Sequence, residues 1–289
     1  MAFRVGTSGW SYDDWAGVFY PCNLKKDRWL EYYMRFFHTT EIDSTYYRFP
    51  SPAMVNGWIE RASKIESFEY SPKMPKPVTH DSLLSDKNLA LQFQDQVLAP
   101  LAAADCLGCT LLQLSPYFRL ADNNERTGHL ERLAALLESL DTASYKYAVE
   151  FRHASWLSGG RLDRDTANLL HRHDVAACIV DGPSMPPIVE DTASHAFVRF
   201  HGHNEDLWYA KERKPGDTRM NRYDYDYGEW ELAPWKGRLD ALKAGTVRAY
   251  FNNHPHANSV KNAKLFESLL GIESAPLPLQ KQADLSEFF

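Results

Sequence analysis

Eight short runs rich in β-branched and aromatic residues are separated by longer stretches, most with the apolar spacing of an amphipathic helix. No other feature constrains the fold as tightly. The strand-like runs cover residues 3–7, 40–43, 68–73, 109–114, 147–151, 176–180, 196–201 and 247–251. Helical spacing fills 27–37, 53–62, 87–103, 130–140, 165–172, 229–244 and 259–270, and only a short Pro-rich connection follows the sixth run. A strand, a crossover helix and a further strand pair in parallel with right-handed connections. Eight such units predict an α/β fold of the TIM-like (β/α)8 barrel type in a single domain, for which 289 residues is a typical length. An open doubly wound sheet is the alternative, but no Gly-rich nucleotide loop follows the first run.

The barrel is expected over residues 1–272, with a tail over 273–289 set off by Pro276 and Pro278. Residues 202–228 form an unusually long connection after the seventh strand, rich in Tyr, Trp, Arg and Lys. The 32 Lys and Arg against 38 Asp and Glu give a formal charge of −6, which excludes a broad polycationic surface. The longest apolar stretches, 107–112 and 175–180, are too short to cross a bilayer, and the first residues lack the apolar run of a signal peptide. A soluble cytoplasmic protein is expected. Cys106 and Cys109 form a lone CxxC with no second pair to complete a zinc site, and read as small buried residues at a turn.

Barrel enzymes work at the carboxyl ends of their strands. Reading each strand end yields Trp10, Asp43 with Tyr46, Lys73, Gln113, Glu150 with Arg152 and Trp156, Asp181, Arg199 with His201, and Asn252, Asn253 and His254. Period-two alternation puts Glu150 with Arg152, and Arg199 with His201, on shared faces. Glu150 and Arg152 are candidates for acid–base catalysis, with Asp43 and His201. Lys73 and Arg199 would hold an anionic group, and Gln113, Asn252, Asn253, Trp10, Tyr46 and Trp156 would contact the rest of a ligand. His201, His254 and Asp181 are candidate ligands for a divalent metal. Alternatively, Glu150 and Arg152 form a structural ion pair, and Asp43 and Asp181 cap the following elements.

Several segments resemble one family. Gly6-Thr-Ser-Gly-Trp-Ser-Tyr12, Glu41-Ile-Asp-Ser-Thr-Tyr46, Tyr70-Ser-Pro-Lys73, Gln113-Leu-Ser-Pro-Tyr-Phe118, Val149-Glu-Phe-Arg-His-Ala-Ser-Trp156, Val198-Arg-Phe-His-Gly202 and Ala249-Tyr-Phe-Asn-Asn253 are similar, in order, to the YecE-like proteins, domain of unknown function 72. The resemblance covers roughly residues 3–270 and implies a TIM-like barrel distantly similar to sugar isomerases and abasic-site endonucleases. It does not imply a specific reaction, and the chain lacks an obvious full ligand set for the multi-metal centres of those barrels.

The chain ends in Gln282-Ala-Asp-Leu285-Ser-Glu-Phe288-Phe289. Gln282, Leu285, Phe288 and Phe289 resemble the PIP box with which repair and replication proteins dock on a PCNA-like sliding clamp. Packing of the two Phe on the barrel is the alternative. The expected function is therefore binding of, or nuclease- or phosphoesterase-type action on, a phosphate-containing nucleic acid in DNA repair or replication, with residues 211–227 contacting bases and backbone. A sugar or sugar-phosphate isomerase- or hydrolase-like enzyme, and a non-catalytic binding module, are the alternatives.

Overall fold

The computed structural model of the chain describes residues 1–122, 125–126, 128–208 and 222–277. Its parallel strands are β1 (Ala2–Thr7), β2 (Thr39–Ile42), β3 (Glu69–Pro72), β4 (Cys109–Gln113), β5 (Lys146–Glu150), β6 in two pieces (Ala176–Ala177 and Ile179–Asp181), β7 (His195–Phe200) and β8 (Thr246–Phe251). Hydrogen-bonded ladders join them into three sheets, β1-β8-β7-β6, β6-β5-β4 and β2-β3. Isolated parallel bridges span two of the seams, Ser8 with Glu41 between β1 and β2, and Tyr70 with Leu107 and Lys73 with Leu111 between β3 and β4. The third seam lies within β6, where Cys178 N donates to Val149 O on β5 (2.8 Å). Neighbour relations thus run through all eight strands in chain order and return to β1, as in a TIM barrel. None of the described helices is long and apolar enough to cross a membrane.

Alternation along the strands makes two apolar regions. Outward residues such as Val149, Val198 and Phe251 pack with the helices in one large cluster. A smaller cluster, including Leu111, Ala148, Cys178, Phe197 and Tyr250, fills the interior. Barrel interiors are ordinarily packed with branched aliphatic side chains. Here the inward positions turn polar toward both ends, and the Tyr250 hydroxyl lies 2.6 Å from Thr39 Oγ1 and 2.7 Å from Ser71 Oγ.

The helices follow the expected spacing, with three exceptions. Residues 27–37 give a 3-10 turn (Lys26–Arg28) and only five α-helical residues (Trp29–Tyr33). Residues 87–103 form two α-helices, Lys87–Phe93 and Ala99–Ala103, around a π-turn at Gln94–Leu98. Pro100 has no N–H to return to the preceding turn, and the ladder widens before it. Residues 229–244 end as a helix at Asp240. The helix Pro52–Ala62 starts as its sequence dictates, with Ser51 Oγ accepting from Met54 N (3.3 Å) and Pro52 in the first turn. Cys106 and Cys109 are buried, and burial pushes their thiols up to about 11 and about 12, so neither acts as a thiolate.

Candidate active site

Inward-facing side chains at the carboxyl ends of β2, β3, β4, β5 and β7 meet in one buried charged cluster, the pit of the barrel. Arg199 on β7 is its centre and is 1% exposed. Its Nη1 donates to Glu150 Oε2 on β5 (2.6 Å) and Gln113 Oε1 on β4 (3.1 Å), and its Nη2 to Glu41 Oε1 on β2 (2.8 Å). Arg152 donates to the other Glu150 oxygen (2.6 Å). Beside this network Lys73 Nζ donates to Asp43 Oδ1 (2.8 Å) and lies 4.4 Å from the centre of the Tyr46 ring. Each of the three cations is therefore already paired with a carboxylate.

The two carboxyls that share Arg199 are driven apart. Burial raises the Glu41 pKa above the usual carboxylate value, and Arg199 opposes it only in part. Burial would raise Glu150 too, but Arg199 and Arg152 together hold it well below the usual range. His201, one pleat beyond Arg199, is fully buried, and burial lowers its pKa to about 4, leaving it neutral near pH 7. Asn252 Nδ2 donates to its Nδ1 (3.0 Å), which puts the ring proton on Nε2, 3.8 Å from Glu150 Oε1. Four buried polar atoms in this region have no hydrogen-bond partner among the described residues: Glu41 Oε2, Arg199 Nε, His201 Nε2 and Ser8 Oγ. Buried polar groups are nearly always satisfied, so such a concentration marks a place built for something else.

The ends of the long connection after β7 roof the pit. The Trp208 and Tyr223 rings lie 5.9 and 5.8 Å from His201, and the Arg152 guanidinium is 5.8 Å from the Trp208 ring. Gly202 makes the turn, with φ at +86°, and a Cβ there would come within 2.4 Å of Tyr225 Cβ. Residues 211–221, part of the segment expected to contact bases and backbone, lie outside the described residues.

The structure does not gather every strand-end residue at the pit. Trp156 is fully buried, stacked on Phe118 with its Nε1 donating to Phe118 O (2.8 Å), so it supports the site from below and offers no face to a ligand. Asn253 is buried and ties the roof down, donating to Tyr225 O (2.8 Å) and Asn262 Oδ1 (2.6 Å). Asp181 Oδ2 accepts from His203 Nε2 and the Tyr227 hydroxyl, both at 2.8 Å. The His254 ring stacks on Tyr12 at 4.3 Å. His201, His254 and Asp181 are thus each engaged separately. Among the described residues no three His, Cys, Asp or Glu side chains are grouped to hold a metal ion, so these residues do not fit a metal centre. Trp10 and Tyr46 stand half-buried at the rim. Gln282, Leu285, Phe288 and Phe289 lie outside the described residues.

Strand-end reading missed Glu41. The signal was present, because a lone acid in the run Thr39-Thr-Glu-Ile42 must point inward to a partner.

Fold and site together define a TIM-barrel-like α/β protein with a buried charged pit at the carboxyl end of its strands. The chain belongs to the family described as protein of unknown function DUF72, whose pattern it matches over residues 4–285. It is 25% identical to the UPF0759 protein YunF of Bacillus subtilis over 293 residues, 97% of this chain and 99% of that protein. The crystal structure of a DUF72 family protein from Thermotoga maritima superimposes with a TM-score of 0.78 at 31% identity, covering 94% of this chain and 100% of the other. Outside the family, a D-psicose 3-epimerase crystallised in the presence of D-fructose shares the fold alone, with a TM-score of 0.53 and 12% identity over 94% of this chain and 100% of that one.

Proposed function

We propose that the pit binds a small polyhydroxylated molecule of the sugar class and moves a proton on it, with Glu41 as the group that exchanges the proton. The observation that carries this reading is geometric: Glu150 spends both oxygens on Arg199 and Arg152, whereas Glu41 meets Arg199 through Oε1 alone and keeps Oε2 without a partner among the described residues, and burial moves its pKa up while Glu150 is held down. Two acids with separated pKa values divide the labour of acid–base chemistry. Glu41, displaced toward neutrality and with Oε2 free, is matched to give and take a proton. Glu150 stays ionised and fixes Arg199 and Arg152, so the acid–base role expected for Glu150 passes to Glu41.

The unpartnered atoms describe the ligand. Arg199 Nε and His201 Nε2 donate, Ser8 Oγ does either, and ionised Glu41 Oε2 accepts. A hydroxyl beside a carbonyl answers that set. Glu41 would take the proton from the carbon next to the carbonyl. The bonding pair would move to form an enediolate, its oxygen held by the two donors; Glu41 would return the proton to the former carbonyl carbon while the neighbouring hydroxyl's proton passes to the former carbonyl oxygen, completing an aldose–ketose isomerisation. Phosphate recognition fits less well, because Lys73, Arg152 and Arg199 are each neutralised already. The epimerase that shares the fold acts, by its name, on a sugar, and the sugar class is carried over from it as part of this proposal.

The test is incorporation of solvent deuterium into a panel of aldoses and ketoses, followed by NMR. The intact protein should label the carbon beside the carbonyl, and Glu41→Gln should slow labelling by about 10²–10⁴-fold. No labelling of any sugar by the intact protein would overturn the proton-transfer reading. A separate proposal rests on the sequence of the tail alone, that Gln282, Leu285, Phe288 and Phe289 dock on a sliding clamp and bring the protein to DNA. Calorimetry with the host's clamp should detect micromolar binding that Phe288→Ala with Phe289→Ala abolishes. No heat of binding in the intact protein would refute it.

A further inference from the structure

We infer that a cleft beside the pit binds a second, neutral sugar ring, so that the ligand is a glycoside of two or more units. This rests on the reading of the pit as a sugar site. The cleft, about 240 Å³, lies at the carboxyl ends of β1 and β2, with Trp10, Ser11, Tyr12, Asp43, Ser44 and Tyr47 in its lining. It adjoins the pit at Asp43 and Tyr12. Asp43, just past the end of β2, pairs with Lys73 of the pit (2.8 Å), and the Tyr12 hydroxyl donates to the backbone O of Ser8 (2.6 Å), the residue whose Oγ is one of the unpartnered atoms of the pit.

The lining has three properties that together select a sugar. First, its aromatic faces are held in place. Tyr12 stacks on His254 with 6° between the planes. The Tyr20 hydroxyl donates to Trp10 O (2.6 Å). Tyr47 meets Tyr46 edge-on at 4.9 Å while remaining 75% exposed. A large exposed tyrosine at a cleft is an unpartnered surface. Second, polar tips surround those faces. The Trp10 indole N–H and the hydroxyls of Ser11, Ser44 and Tyr47 take no partner among the described residues. Amphipathic rings with free tips suit a ligand that is apolar on one face and hydroxylated at its edge. Third, the only ionised side chain in the lining is Asp43, already paired with Lys73 at 2.8 Å, so neither a phosphate nor a carboxylate finds a cation there. The volume lies below the roughly 300–1,000 Å³ of pockets that take whole drug-sized ligands, and so accommodates one ring.

The experiment compares Kd values by titration calorimetry for monosaccharides, for the disaccharides that contain them, and for nucleosides. It uses the full chain and its Trp10→Ala, Tyr47→Ala, Trp10→Phe and Glu41→Gln variants, with circular dichroism as the check of folding. In the intact protein the disaccharide should bind at least tenfold more tightly than its monosaccharide unit. That ratio should fall to within about twofold of unity in Trp10→Ala and Tyr47→Ala, be largely kept in Trp10→Phe, and be unaffected by Glu41→Gln. Equal binding of both lengths by the intact protein would overturn the second ring while leaving the pit as a sugar site. A preference for nucleosides would overturn the identity of the ring. Failure of every sugar to bind would remove both readings together.

Discussion

The two ends of the barrel interior both carry buried ions and treat them in opposite ways. At the amino end of the strands, Arg248 on β8 forms a complete fork with Glu69 on β3, Nε to Oε1 at 2.7 Å and Nη2 to Oε2 at 2.9 Å. Both carboxylate oxygens are used. At the carboxyl end, one guanidinium is divided between Glu41 and Glu150, an oxygen of Glu41 is left over, and so is the Arg199 Nε. A closed pair can do little except hold the interior together. An open network keeps polar atoms in reserve, at a cost in stability that a purely structural ion pair would not carry. The contrast teaches that buried charge alone does not mark a site, whereas buried charge with unspent hydrogen-bonding capacity does.

The strongest way to break this contrast is to remove the hub. Arg199→Met would leave two carboxyls buried without their partner and should lower unfolding stability in urea by about 3–5 kcal/mol or more. Adding Glu41→Gln and Glu150→Gln should restore most of that loss. A single variant that unfolds at the normal midpoint would show that the network is not what it appears in the geometry. At the other end, Arg248→Met should cost about 3 kcal/mol, whereas Arg248→Met with Glu69→Leu should return close to the parent stability. Deuterium labelling per folded molecule should stay within about twofold in that double variant, and its loss would erase the distinction between the ends.

Acid titration sharpens the comparison further. His201 has a pKa of about 4 in the fold against roughly 6.5 in the unfolded chain, so unfolding takes up a proton between those values. Stability should therefore fall as pH drops through that window, and His201→Asn should make the slope shallower by up to about 1.4 kcal/mol per pH unit. His80 and His195, also lowered to about 4 by burial, leave a residual slope of the same sign. The smallest effect is expected from Glu41→Gln. Burial raises the folded pKa of Glu41, so the unfolded chain loses its proton first, and the residue's contribution declines as pH rises past about 4.3. The variant should escape that decline and be the more stable of the two near pH 7, a difference that vanishes below pH 4.

The strands were legible because strands covered by helices outside and packed inside read as short β-branched runs with turn signals between them. The break within residues 87–103 was less so, since periodicity does not register the backbone donor missing at Pro100. In the site, alternation turns Glu150 and Arg199 inward, because parity within a strand is fixed by the chain, whereas Arg152 and His201 lie just past the strand ends. The same rule applied within β2 would have reached Glu41. Beyond the last residue of a strand parity no longer constrains the side chain, and Asn252 and Asn253 illustrate the consequence: the first turns to His201, the second to the roof. Trp156 depended on packing against Phe118, a contact across 38 residues that no local pattern encodes.

The three sheets of the barrel meet at seams, and Arg199 holds hydrogen bonds to residues in both of the sheets that lack β7, to Glu41 in one and to Gln113 and Glu150 in the other. It is the clasp of the barrel as well as the centre of the pit. A molecule that engages its free Nε would tighten the clasp, and amide protons on strands far from the contact would then exchange more slowly with solvent. Occupancy of the pit would be felt as cooperativity of the whole domain.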